Sequence, residues 1–367
     1  MEITAAVTRA PKSQLTIEKL ELDPPRSNEI LVKLTAVGIC HTDIAMRDQA
    51  FPVPQPIVLG HEGSGVVAAV GAGVSKVKHG DHVVMSFNSC GSCESCLENK
   101  PSYCHDFWGC NFAGARADRS SPLHKGPESI HGNFFGQSSF ADHALCTERN
   151  IVKVRSDAPL ELLGPLACGI QTGAGAVINA LKVGPGKKFA VFGVGSVGLS
   201  AVMAARLVGA GTIIAIDMHP ERLKQALELG ATHVVNARNE SVVDEVMKST
   251  GSGVHYSLET TSLPTVIRQA VECLTFRGIC GILGASPVGT HVSLDVIHLM
   301  TALRWLFKGP RPVFWAPLLA FAWALLTWLL GHLAGVNAIL RRSFCLSGLL
   351  RQVQLEVLFW SSLGSRL

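Results

Sequence analysis

The sequence predicts an α/β protein of two domains, the second built on a doubly wound parallel sheet. Three observations predict it. A glycine-rich turn, Gly193, Gly195 and Gly198, lies between an apolar run and a helical apolar pattern. Helix-like and strand-like segments alternate on either side of "LKQALELGATHVVNA", "GVHYSLETTS" and "RGICGILGAS", the rhythm of βαβ units. Residues 1–160 read differently, as short strands broken by Gly, Pro and Asn, with four cysteines crowded near their middle.

The chain has 367 residues and a formal charge of +4, enough for about two domains and a sizeable core. No basic stripe argues for nucleic acid. The opening stretch "MEITAAVTRAPKSQL" lacks a basic flank followed by an apolar segment, so the expectation is a cytoplasmic, reducing setting.

In "CGSCESCLENKPSYC", Cys90, Cys93, Cys96 and Cys104 follow the spacing C-x2-C-x2-C-x7-C. A redox pair would need two thiols. Four thiolates on short returning loops suit one tetrahedral zinc with no open position, so this metal braces a loop; chance clustering is the alternative. Three further segments supply scattered donors: "GICHTD" with Cys40, His41, Thr42 and Asp43, "LGHEGSG" with His61 and Glu62, and "GPLACGIQTG" with Cys168. Cys40, His61 and Cys168 could hold a second zinc with a free fourth position, the catalytic arrangement. Taken singly, each is more often a buried apolar thiol or a satisfied polar ring.

The cofactor half opens with a buried strand, Phe189 to Phe192, and a helix from Val197 to Val208; Thr212 to Ile216 is the next buried strand, closed by Asp217. Glycine at 193 permits the tight turn, glycine at 195 lets backbone approach a pyrophosphate, and glycine at 198 allows helix and strand to pack closely. The pyrophosphate would sit at the helix N-terminus. Asp217 would accept from the adenosine ribose and repel a 2′-phosphate, favouring NAD over NADP, while Arg222 weakens that preference.

Read together, "GHEGSGVVAAVGAGV", the four-cysteine lobe, "FFGQSSFADHAL" and "GPLACGIQTGAGAV" resemble the zinc-dependent medium-chain alcohol dehydrogenases. The match looks closest to the aryl-alcohol (benzyl-alcohol) branch and runs from about residue 3 to about residue 298. The resemblance implies a GroES-like catalytic domain over 1–160 and a Rossmann NAD-binding domain over 161–299. It implies two zinc ions per chain, NAD, and a small-molecule alcohol and aldehyde as partners. It also implies a catalytic zinc on Cys40, His61 and Cys168, with Glu62 beside it as an occasional ligand. Asp43 would orient His61, or else cap a helix or turn. Thr42 would take the alcohol proton. His41 would contact the pyrophosphate or lie solvated on its helix. Thr172, Val194 and Val197 would join the cofactor contacts. Ala45 stands where well-known members place a relay histidine, so the proton leaves through water or the ribose. Phe107, Trp108, Phe112, Phe134, Phe135 and Phe140 flank the expected cleft, although ordinary core explains most of them. His79, His82, Cys110 and Cys146 are read as structural. Oxidation of a formaldehyde–glutathione adduct or a polyol stays open as an alternative.

After "VSLDVIHLM" the resemblance stops. Residues 301–367 carry five of the six tryptophans and seven Lys and Arg against one acid, Glu356. Val313 to Leu330 is an uncharged stretch with the length and hydropathy of a membrane span. We read residues 300–367 instead as a shifted reading frame, because the break falls inside a domain. The missing segment would supply late sheet strands and the family's dimer edge. The expectation is therefore an impaired enzyme, no membrane association unless the tail inserts, and a family homo-oligomer put in doubt.

Overall fold

The computed structural model describes residues 1–296; the expectations for the tail concern residues outside that range. The N-terminal half carries two five-stranded sheets with antiparallel pairings. The first runs Ile57–Val58, Glu2–Thr8, Thr16–Leu22, Leu123–Lys125, Glu128–Ile130, and the second Ile151–Lys153, His82–Met85, Gly63–Val70, Glu29–Val37, His143–Thr147. Their period-two patterning explains how they stack. Ile3, Ala5 and Val7 point into one core with Leu20, Leu22 and Leu31. Ile30 and Val32, on the opposite face of Leu31's strand, enter a second core with Val67, Val83, Met85 and Cys146. The second sheet is thus apolar on both faces, and Cys146 is a core residue.

The C-terminal half is a parallel sheet in the order His233–Asn236, Thr212–Asp217, Lys188–Phe192, Val254–Glu259, Leu274–Ile282. Its strands are near-continuous apolar runs because helices cover both faces. Phe189 and Val191 pack with Ala201, Val202 and Ala205 of the helix Ser196–Leu207 on one side. Ala190 and Phe192 pack on the other side with Val242, Val246, Ala270 and Val271. The first strand and helix each begin one residue earlier than the apolar pattern alone suggested. Strand order reverses between Lys188–Phe192 and Val254–Glu259, which is where doubly wound sheets open a ligand crevice. No single helix among the described residues is long and apolar enough to cross a membrane.

Arg116 pins the N-terminal half from within. Its guanidinium meets Glu29 through both nitrogens at 2.7 and 3.0 Å and Asp23 at 2.6 Å, with 5% of the side chain exposed. Removing it leaves Glu29 buried and unpaired. Arg116→Ala should lower stability by about 3–5 kcal/mol in urea unfolding; a loss under about 1 kcal/mol, the scale of a surface pair, would contradict this.

Candidate functional site

The site begins at a helix start. Cys40 is the N-cap of the short helix His41–Arg47. Its backbone N–H donates to Asp43 Oδ2 at 3.0 Å. The other oxygen of Asp43 accepts from His61 Nδ1 at 2.8 Å and from the Gly60 N–H at 3.1 Å. Asp43 therefore caps the helix and orients the imidazole at once, and both roles raised by its position are filled. Gly60 has φ +92°, a backbone state that turns the chain into His61 and that glycine tolerates best.

With Nδ1–H given to the carboxylate, His61 presents the lone pair of Nε2. That atom is buried without a hydrogen-bond partner. The thiols of Cys40 and Cys168 are 3.9 Å apart, and the donor atoms of Cys40, His61, Glu62 and Cys168 all lie within 4.8 Å of one another. The electrostatics say what the pocket lacks. The Cys168 thiol and the neighbouring His61 ring hold Cys40 down at about 3 against burial, while the Cys40 thiolate and burial push Cys168 up. Burial pushes His61 down, but the hydrogen bond to Asp43 and the nearby Cys40 thiolate outweigh it and hold the ring up at about 10. A divalent cation on the two sulfurs and Nε2 would take the place of that second imidazole proton. The donor set, two thiolates and one imidazole, is one that suits zinc.

Glu62 lies on the far wall of the pocket, 5% exposed. Its Oε1 accepts from the Gly169 N–H at 3.3 Å, and its Oε2 occupies the space that a side chain at Gly38 would fill. Burial, then the charge on Cys40, raises its pKa. Thr42 places its hydroxyl 3.6 Å from the Cys40 sulfur. His41 is exposed at the helix start, and Ala45 follows one turn on.

The second cluster brings Cys90, Cys93, Cys96 and Cys104 within the same 4.8 Å limit. Backbone N–H groups point at its sulfurs: Cys93 N–H to Cys90 Sγ at 3.4 Å, His105 N–H to Cys93 Sγ at 3.4 Å, Cys90 N–H to Cys104 Sγ at 3.3 Å. Such donors stabilise thiolates. The N–H groups of Ser92 and Cys93 lower Cys90 to about 6.

The glycine loop divides its labour residue by residue. Gly193 has φ +84°. A Cβ on Gly198 would overlap the Gly193 carbonyl oxygen, whereas a Cβ on Gly195 would meet nothing within 4 Å. The loop is thus closed toward the sheet and open toward a ligand, as a pyrophosphate cradle at a helix N-terminus must be. Asp217 holds this loop as well as facing the crevice. Its Oδ2 accepts from the Val194 N–H at 2.9 Å and its Oδ1 from the His219 N–H at 2.9 Å, with Arg222 3.7 Å away. Val197 lies in the first turn of the helix, and Thr172 one turn beyond Cys168, its N–H bonded to the Cys168 carbonyl at 2.9 Å.

The aromatic residues separate. Phe135 stacks on His61 at 4.5 Å, Phe112 meets Phe135 edge-on at 5.1 Å, and Trp108 lies 4.3 Å from Phe112. Trp108 is 50% exposed, so these rings run from solvent to the histidine. Phe134 is fully buried, and Phe107 and Phe140 pack against the same core. Phe135 takes φ +51°, uncommon for a bulky residue and found where surroundings enforce it.

Sequence reasoning missed Gln137 and Glu259. Gln137, 2% exposed, donates to the His61 and Ser86 carbonyls and accepts from Gly63, fixing the backbone on both sides of Glu62. Glu259 ends the strand Val254–Glu259 and is fully buried. Its Oε1 accepts from the Thr261 and Ser262 N–H groups, which places that turn against Gly193. An acid closing an apolar strand was the only available signal.

Comparisons with known proteins place this geometry. Residues 26–156 match the family model "Alcohol dehydrogenase GroES-like domain" and residues 196–306 match "Zinc-binding dehydrogenase". Geraniol dehydrogenase of Castellaniella defragrans is 47% identical over 311 residues, 83% of each chain. Benzyl alcohol dehydrogenase from Acinetobacter calcoaceticus is 46% identical with a TM-score of 0.79, over 82% of each chain. An alcohol dehydrogenase zinc-binding domain protein from Burkholderia ambifaria is 52% identical with a TM-score of 0.80, over 82% of this chain and 81% of that one.

Elemental analysis should count two zinc ions per chain, one for each donor cluster; Cys40→Ser and Cys104→Ser should each remove one. After chelation, alkylation at Cys90 should follow its thiolate, rising as pH passes upward through about 6, ahead of Cys96, which burial holds at about 11. Uniform labelling of the four lobe thiols near pH 7 would contradict that order.

Proposed function

The chain belongs to the zinc-dependent medium-chain alcohol dehydrogenases, and we propose that it oxidises a primary aromatic or allylic alcohol to the aldehyde with hydride transfer to NAD. The observation that carries the substrate class is the stack of Phe135 on His61, continued by Phe112 and Trp108 to the surface. A flat unsaturated group would lie along these rings with its hydroxyl beside the metal donors, at a gain of about 0.5–1.5 kcal/mol per ring pair beyond burial. Relatives that act on geraniol and benzyl alcohol support the same reading.

In this reading Cys40, His61 and Cys168 hold zinc, and the four-cysteine lobe holds a second, structural one. A zinc ion so held supplies Lewis acidity, which makes an alcohol hydroxyl acidic near neutral pH. The chain's own residues do the rest. Thr42 orients the hydroxyl and accepts its proton at Oγ1. Ala45 offers no acceptor beyond it, so the proton passes to water or to a ribose hydroxyl. Asp43 keeps His61 in the tautomer that offers Nε2. Phe134 and Phe135 cover the ring and exclude water. Gly195 and the helix start at Ser196 would receive the pyrophosphate, with Val197, Thr172 and His41 along its course; Val194, expected among the cofactor contacts, is instead fully buried in the core with its N–H on Asp217. Asp217 selects NAD by repelling a 2′-phosphate, and Arg222 moderates that charge.

With NAD, benzyl, cinnamyl or geranyl alcohol should give kcat/KM values well above that for ethanol, and NADP should be the poorer coenzyme. Phe135→Ala should narrow the benzyl-to-ethanol ratio by roughly 10-fold, the worth of one lost ring pair. Thr42→Ala should lower kcat by a factor of about 10²–10⁴, the contribution of a positioned proton acceptor, with Thr42→Ser restoring most of it. Equal kcat/KM for ethanol and benzyl alcohol would sink the substrate assignment.

A further inference from the structure

We infer that Gly173 and Ser200 are positioning residues: they fix the spacing between the metal ligand Cys168 and the dinucleotide cradle by locking two helices backbone to backbone. The short helix Gly169–Gly175 starts immediately after Cys168. The helix Ser196–Leu207 starts immediately after Gly195, the open point of the glycine loop. At Gly169 and Gly173 the two pack with only backbone and the short side chains of Ser196 and Ser200 between them. A Cβ on Gly169 would stand 2.9 Å from Ser196 Oγ. One turn further on, a Cβ on Gly173 would overlap the Val197 carbonyl and the Ser200 hydroxyl. Ser200, 2% exposed, donates from Oγ to the Ile170 carbonyl at 2.9 Å.

Helices usually meet through side chains that can repack. Here the atoms facing Gly173 are the Val197 carbonyl, the Ala201 amide and a serine hydroxyl held by its own hydrogen bond, which have little freedom to adjust. Cys168 and the cradle are therefore the two ends of one rigid piece, although 26 positions separate Cys168 from Val194 in the chain. Hydride transfer needs donor carbon and acceptor ring within a narrow range, and a misplacement of about 1 Å costs about 10²-fold in rate. A methyl group at Gly173 forces the helices apart by moving one end of that piece.

The inference rests on the zinc and NAD reading above, and cobalt substitution separates the two. Full-length protein carrying cobalt(II) in place of zinc should show thiolate-to-cobalt charge-transfer bands from both donor clusters, and the bands that Cys40→Ser removes should shift as NAD is added. Gly173→Ala should keep the bands and bind NAD within about threefold of the unaltered chain, yet lose the NAD-induced shift. Its kcat should fall by about 10²-fold, with a larger primary deuterium isotope effect from the labelled alcohol. Ser200→Ala, which keeps the packing and deletes only the hydroxyl, should move each readout in the same direction by less, and it carries the test if Gly173→Ala does not fold. If both variants only lose thermal stability, with an unchanged NAD-induced shift and isotope effect, the contact is structural padding and the inference is overturned. If Cys40→Ser removes none of the charge-transfer bands, or if those it removes do not respond to NAD in the unaltered chain, the zinc and NAD reading fails and takes the inference with it.

Discussion

The carboxylate of Asp43 is the constraint from which the site follows. It is 2% exposed, and each of its oxygens is committed: one to the Cys40 N–H, the other to His61 and Gly60. A buried charge is stable only when its lone pairs are filled. Here the groups that fill them are the frames of Cys40 and His61, two members of the proposed metal donor set. The first helix cannot rotate without stripping a donor from the carboxylate, and His61 cannot flip without leaving it unpaired. The ligands are thereby positioned by a requirement that exists whether or not a cation is bound. Around that anchor, Gln137 holds the backbone carbonyl of His61, and the small Gly38 leaves room for Glu62 to fold against the pocket wall.

The two halves of the molecule meet the chemistry with different kinds of rigidity. The metal donors come from loops and helix starts braced by hydrogen bonds to buried polar groups. The cofactor half relies on apolar strands covered on both faces and on glycines that admit backbone where side chains would not fit. Asp217 and Glu259 show how the polar crest of such a sheet is managed. Each ends a strand: Asp217 commits both carboxylate oxygens to N–H groups of the adjoining turns, and Glu259 commits its Oε1 to two N–H groups of the turn that follows it. The crevice is therefore shaped by turns that its own sheet holds in place.

Much of this was legible because some signals are local. The spacing of Cys90, Cys93, Cys96 and Cys104 specifies a metal lobe on its own, and Gly193, Gly195 and Gly198 between strand and helix specify a dinucleotide turn. The scattered ligands Cys40, His61 and Cys168 became readable only through the resemblance of their surrounding motifs, since no single one of them carries a signal. What stayed hidden was pairwise and distant. Ser200 is an unremarked serine in a helix until Ile170 and Gly173 are beside it. Gln137 is one amide among many until the His61 carbonyl faces it. The left-handed backbone at Phe135 has no sequence mark, because the neighbouring structure imposes it against the residue's own preference. The doubled role of Asp43 also needed coordinates: position alone offered a cap or an orienting acid, and the fold uses the two oxygens for both.

The two donor clusters differ in how much polypeptide must exist before they can close. The lobe closes within residues 90–104, whereas the other set waits for Cys168, 128 positions after Cys40. Closing the longer loop costs more chain entropy. During synthesis, which delivers the N-terminal portion first, the lobe can capture its ion while the second set is still missing a thiol. On the proposed reading, chain order would sequence metal loading: a brace early, a reactive centre only once Cys168 has joined its donors. Such an order would keep a reactive ion out of a half-built pocket.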